Sequence, residues 1–174
     1  MRILSIDSSL GTQVAVVDTT ETAGLPVTCP VQVLSRAEQA DTRRHAESLG
    51  QMLSEALSAS GVADRPLDAV VAATGPAPFT GLRAGLVTAR VVGRTRGIPV
   101  HGVSSLDAVA RLALDELGAR QGEKDPVVLV ATDARRREVY AALFRANGPD
   151  DVTRLTEICV SGRRVHCRAD AGTG

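Results

Sequence analysis

The sequence predicts an α/β fold, a mixed sheet flanked by helices, in which three antiparallel strands lead into alternating helix and strand. Three observations carry this. Alternating apolar runs at residues 2–6, 13–18 and 27–35 are separated by turn signals around Gly11 and around Gly24 and Pro26, the pattern of a strand meander. Residues 42–60 then place His45, Leu49, Met52, Leu53, Ala56, Leu57 and Ser60 at helical spacing, with the charged residues largely off that stripe. Finally, LDAVVAAT at 67–74 is continuously apolar, as buried central strands are.

The remaining elements follow in order. The Ser8–Thr12 connection is short and polar enough to close a hairpin. Asp41 or Thr42 can cap the first helix, and Gly61 sits where helices commonly stop. Residues 74–81, TGPAPFTG, form a rigid turn of small residues that opens a second helix over 82–96, with Leu82, Leu86, Ala89 and Val92/Gly93 on one side. Gly97-Ile98-Pro99 ends it, and residues 100–103 form a strand. Ser104-Ser105 caps a third helix over 106–117, with Asp107 in its favourable first turn. Residues 126–132 and 138–145 read as a buried strand and its hairpin mate. From residue 146 the chain turns polar and irregular, and its only strand-like run is 156–160. The expected organisation is a first lobe over 1–103, the start of a second over 104–145, and an atypical tail over 146–174.

Composition excludes several functions. The chain has 174 residues, no Trp, one Tyr (Tyr140) and two Phe (Phe79 and Phe144), so it lacks the aromatic platforms on which unpaired bases stack. Twenty basic residues balance twenty acidic ones, leaving no excess positive field for phosphate backbones. The apolar run before Asp7 is too short for a signal peptide or a membrane span, which points to the cytoplasm and away from membranes. Cys29, Cys159 and Cys167 have neither paired nor CxxC spacing, so reduced thiols are expected rather than zinc or a disulfide framework.

Three segments carry a family resemblance. The opening ILSIDSSLGTQVAVVD resembles the first phosphate-loop hairpin of the actin, hexokinase and Hsp70 superfamily, where small residues let backbone N–H groups approach an anion. ATGPAPFTGLRAGL resembles the signature of the TsaB (YeaZ) family, with Gly75, Pro76, Phe79, Thr80, Gly81, Leu82, Arg83 and Gly85 matching in place. Ala77 and Pro78 replace the usual Gly-Ser and stiffen that turn. TDARRREVYAALF matches the start of a strand in the same family. The family ordinarily continues for several tens of residues past this segment, and residues 146–174 do not resemble that continuation.

The resemblance implies an actin/hexokinase/Hsp70-like lobe with a mixed five-stranded sheet, plus an incomplete second lobe. It implies a non-catalytic partner and activator of TsaD, which transfers threonylcarbamoyl to N6 of the adenosine beside the anticodon in tRNAs reading codons that start with A. TsaE would complete the assembly, tRNA would be met indirectly, and the TsaD-binding face would also support a homodimer. No cofactor or metal of its own is implied. ATP or ADP would lie at the interface with TsaD, near Asp7, Ser8, Ser9, Gly11 and Thr12, although a solvated hairpin is the simpler account of those five residues. The partner interface would be built from His45, Leu49, Met52, Leu53 and Ala56 on the first helix and Leu82, Leu86, Ala89 and Gly93 on the second. That stripe must be shared between the sheet and the partner.

The rival reading is an enzyme of the same superfamily, a metallopeptidase or a small-molecule kinase. TsaD holds a metal through a His-x-x-x-His pair on its first helix, a spacing that shares one helical face; here His45 is followed by Leu49, and the pair is broken. A serine mechanism needs a base beside its nucleophile, yet the other histidines are His101, in a strand-like run, and His166, in the tail. Ser8, Ser9, Ser104 and Ser105 are explained as turn and cap residues. A kinase needs a second Gly-rich loop, which the second half lacks. Arg135, Arg136 and Arg137 form the densest basic run, open to reading either as a tRNA contact or as a solvated turn.

Overall fold

The structure, a computed structural model, describes residues 1–19, 31–40, 45–61, 66–121 and 125–162. Its elements are β1 (Arg2–Asp7), β2 (Thr12–Asp18), β3 (Gln32–Gln39), α1 (His45–Ala59), β4 (Ala69–Ala73), α2 (Phe79–Arg96), β5 (Val100–Val103), α3 (Ser105–Gln121), β6 (Val127–Arg135), β7 (Glu138–Asn147), β8 (Asp151–Arg154) and β9 (Cys159–Ser161). The chain divides into two compact units, residues 1–103 and 104–174.

In the first unit a five-stranded sheet runs in the order β3-β2-β1-β4-β5. β1 pairs antiparallel with β2 and β2 with β3, whereas β4 is parallel to both β1 and β5. Strand alternation turns Leu4, Ile6, Val14, Val16, Val70 and Ala72 to one face. There they form a single core with Leu49, Met52 and Ala56 of α1 and Ala89 and Val92 of α2, so both helices cover the same side. At one end of the sheet, buried Asp18 faces the Arg2 guanidinium (3.6 Å) and the amino terminus (3.5 Å). Arg2 also donates to the Gly61 carbonyl at 2.9 Å, and its backbone N–H donates to Asp68 at 2.7 Å. These bonds tie the start of β1 to the end of β2 and to the α1–β4 connection.

The seating of α2 rests on residues without bulk. Gly81, Gly85, Ala89 and Gly93 recur every four residues, so they fall on one line of the helix, and all four are buried. A Cβ on Gly85 would overlap the Ser8 hydroxyl, and one on Gly93 would overlap a methyl of Val100. The helix ends at Gly97, which adopts a left-handed φ of 67° and donates its N–H to the Gly93 carbonyl, a stop that favours glycine.

The second unit is a four-stranded sheet in which β6 pairs one edge of β7, while β8 and β9 share the other. The α3 helix covers one face, where Leu106, Ala110 and Leu114 meet Val128, Val130, Ala142 and Phe144. Ser104 caps it, its Oγ accepting the Asp107 N–H at 3.4 Å.

Two sequence expectations change. The third strand lies at Gln32–Gln39 rather than 27–35, because its polar second half pairs with β2 as an edge, where little apolar surface marks it. Of the expected range, 27–30 lies outside the described residues, as do Asp41 and Thr42. The polar run from 146 is not irregular over 146–161: β7 continues to Asn147, and β8 and β9 add to its edge. Val152 of β8 packs on the second core, but strands of four and three residues are too short to display a period.

Two glycines separate close packing from helix propensity. At Gly50 on α1, an added Cβ would meet nothing within 4 Å, so Gly50→Ala is expected to raise stability by about 0.5–1 kcal/mol. Gly85→Ala is expected to lower it by about 1–3 kcal/mol through overpacking against Ser8. Urea unfolding of both variants checks this, and equal effects would contradict the close seating of α2.

Candidate functional site

The hairpin between β1 and β2 points its polar groups inward. Ser8, Ser9 and Thr12 are all buried. Ser8 Oγ donates to the Gly81 carbonyl at 2.9 Å, locking the hairpin to the first turn of α2. The Ser9 N–H and Oγ both donate to Asp7 Oδ1, at 2.7 and 2.6 Å. Gly11 has φ 149°, and a side chain there would press on the Gln39 carbonyl at 2.9 Å. The five residues that the sequence places near a nucleotide therefore stand together as expected of a hairpin, but the hydroxyls of Ser8 and Ser9 are bonded to the protein itself.

The signature turn lies beside this latch. Gly75 and Pro76 are joined by a cis peptide bond. Gly75 has φ 88°, and a Cβ there would approach Leu82 at 2.9 Å and the Ala77 nitrogen at 3.0 Å, so only glycine fits. Pro78 precedes the helix without a side-chain cap. Phe79 opens α2 and is 66% exposed, with the Arg83 guanidinium 3.7 Å above its ring, a pairing worth about 0.5–1 kcal/mol at an exposed site. Thr80 is exposed and Gly81 is buried against Ser8.

The predicted partner interface is divided by the fold. Leu49, Met52, Ala56, Ala89 and Gly93 are buried inside the first unit, and this corrects the expectation that they face a partner. An amphipathic helix turns its apolar stripe to its own sheet first. Leu53, Leu82 and Leu86 are half-buried. His45 begins α1, and its side chain lies outside the described residues, as does His166.

On the other side of α2 apolar side chains are exposed. Val87 and Val91 are 59% and 58% exposed, on the same outward side as Phe79, Arg83, Arg90 and Arg94. Two grooves flank this ridge. One of about 740 Å³ runs between α2 and β5, lined by Val87, Arg90, Val91, Arg94, Val100 and His101 among others. The other, about 500 Å³, lies between α1 and α2 over Leu49, Gly50, Thr80, Arg83, Ala84 and Val87. Val87 lines both. Sequence reading missed Val87 and Val91 because β-branched residues among arginines resemble a solvated face. The signal was available in their four-residue spacing from Arg83. Among the described residues, no cluster of His, Cys, Asp or Glu could hold a metal, and no helix is long and apolar enough to cross a membrane.

The strand order and the one-sided helix pair define an α/β lobe of the actin–hexokinase type. A family model described as "TsaD: tRNA N6-adenosine threonylcarbamoyltransferase" matches residues 32–161. An uncharacterised protein of Mycobacterium tuberculosis is 42% identical over 123 residues, covering 71% of this chain and 53% of that protein. The tRNA threonylcarbamoyladenosine biosynthesis protein TsaB of Haemophilus influenzae is 33% identical over 117 residues, 64% of this chain and 47% of that protein. The solved structure of YeaZ from Pseudomonas aeruginosa superposes with a TM-score of 0.70 at 26% identity, over 98% of this chain and 72% of that one. The chain belongs to the threonylcarbamoyltransferase family, as a TsaB (YeaZ) member. It spans about half the length of the curated relatives it matches.

Because Ser8 and Ser9 spend their hydroxyls internally, magnesium-ATP at millimolar concentration is expected to leave the melting temperature of the isolated chain unchanged. Ligand that binds only the folded state would raise it, and a clear rise would show that the hairpin opens to take a phosphate.

Proposed function

We propose that this chain acts in tRNA threonylcarbamoyladenosine biosynthesis as a non-catalytic partner of TsaD, docking through the outer ridge of α2. The observation that carries this reading is the exposure of Phe79, Val87 and Val91 on the side of α2 opposite its glycine line. A helix already seated by Gly85, Ala89 and Gly93 has no internal use for apolar side chains on its far side. Apolar exposure of that kind, bordered by arginines, is the composition of an interface. Burying three such side chains contributes roughly 1.5–3 kcal/mol each, against an association cost of about 4–15 kcal/mol. The ridge therefore needs help from the grooves beside it, and both are open to a helix pair from TsaD.

The broken His45–Leu49 pair and the internally bonded hairpin support assigning the chemistry to TsaD. ATP or ADP belongs to the joint assembly, which TsaE completes in the cytoplasm. Without TsaD, the same ridge supports a homodimer.

Light scattering after size exclusion tests this, using the chain mixed with TsaD from the same source. A one-to-one complex is expected. The double variant Val87→Glu/Val91→Glu should weaken it by about 2 kcal/mol or more, roughly 30-fold. Both positions are exposed, so its circular dichroism should match the parent. An unchanged complex with the variant would overturn the reading.

A further inference from the structure

We propose that the tip of the β6–β7 hairpin, Arg135–Arg137, is a contact for the phosphate backbone of RNA. Arg135 pairs with Glu138, which leaves Arg136 and Arg137 as a two-residue turn, and the ladder is irregular between Asp133 and Arg135. All three arginines have left-handed backbones, with φ 68°, 53° and 65°. Turns of this kind are best made by Asn-Gly or Asp-Gly, because L-residues other than Gly and Asn meet steric cost at positive φ. This hairpin places three consecutive arginines in that geometry. Folding alone favours other residues here, so the side chains need a different reason.

The charges are presented outward. All three residues are exposed. Arg135 is anchored, its N–H donating to Asp133 Oδ1 at 3.0 Å and its guanidinium lying 3.9 Å from the same carboxylate. Arg136 and Arg137 form no ion pair among the described residues. A guanidinium fork matches phosphate oxygens in pairs. An acidic protein surface is the less favoured partner. Protein interfaces centre on aromatic and apolar anchors, and the tip from Asp133 to Glu138 carries no large apolar side chain. The chain as a whole is neutral, so the tip holds a nearby polyanion locally rather than steering it from afar. The inference rests on the proposed role beside tRNA, but its test does not need TsaD.

The variant Arg136→Asn/Arg137→Gly installs the residues this turn prefers, so it should fold at least as stably as the parent, with an equal or higher melting temperature. Fluorescence anisotropy of labelled tRNA with the full chain at low ionic strength gives the affinity. The variant is expected to bind about tenfold or more weakly. Its dependence of log K on log salt should be shallower by about 1.5–2, as for two lost phosphate contacts. Arg136→Lys/Arg137→Lys, which keeps the charges, should retain most of the salt slope. Val87→Glu/Val91→Glu should bind tRNA as the parent does, which keeps failure of docking distinct from failure of the tip. Equal affinity and slope for the parent and the Asn-Gly variant would overturn the proposal, as would absence of tRNA binding by the parent at low salt. So would an Asn-Gly variant that binds tRNA normally but loses TsaD, since the tip would then be a protein contact.

Discussion

The first lobe depends on how closely the backbone of α2 approaches the sheet. Gly85 lies against Ser8 and Gly93 against Val100, each with no room for a methyl group. That approach brings the first turn of α2 within reach of Ser8 Oγ, so the β1–β2 hairpin and the signature turn become one latched unit. It also decides which face of the helix remains outside. With its inner line occupied by glycine and alanine, α2 contributes little apolar area to its own core. Most of the bulk there comes from the strands and from Leu49 and Met52 of α1. Phe79, Val87 and Val91, on the other side of the helix, are left exposed.

The order of elements was legible through Glu138–Asn147 because each element there is long enough to show its period or is flanked by a strong punctuator. Gly97 and Ser104 illustrate the second kind: one ends α2 in a left-handed conformation, and the other caps α3. The edges were less legible. β3, β8 and β9 bury few side chains, and their backbone pairing with a neighbour determines them more than their own composition does. A short edge strand such as Asp151–Arg154 is specified chiefly by the strand it joins.

The site was half legible. Sequence motifs located the turn from Gly75 to Arg83 and the hairpin from Asp7 to Thr12, because both use residue types that few other conformations require. The sidedness of the helices was not legible. An apolar stripe reports that something covers it, and in a lobe with one sheet the sheet has first claim, as burial of Leu49, Met52 and Ala56 shows. The exposed ridge was harder to read: the four-residue spacing of Arg83, Val87 and Val91 marks one shared face, but does not say whether that face is solvated or covered. Backbone strain at Arg135–Arg137 was equally invisible, since the sequence shows three charges and says nothing of the sign of φ.

In the β1–β2 hairpin the hydroxyls of Ser8 and Ser9 are satisfied by the protein itself. A loop of small residues beside a strand ending in Asp has backbone donors and hydroxyls that must be satisfied, by an anion or by protein. Here Asp7 takes both donors of Ser9, and the Gly81 carbonyl takes Ser8. Each internal bond of this kind contributes only about 0.5–1.5 kcal/mol net. A phosphate would therefore have to displace modest interactions, but it would also have to loosen the latch that sets the angle of α2. That angle decides which side chains of α2 stay outside, Val87 and Val91 among them. The hairpin is thus a fixed support for α2, and the outward position of Val87 and Val91 follows from the same bonds that satisfy Ser8 and Ser9.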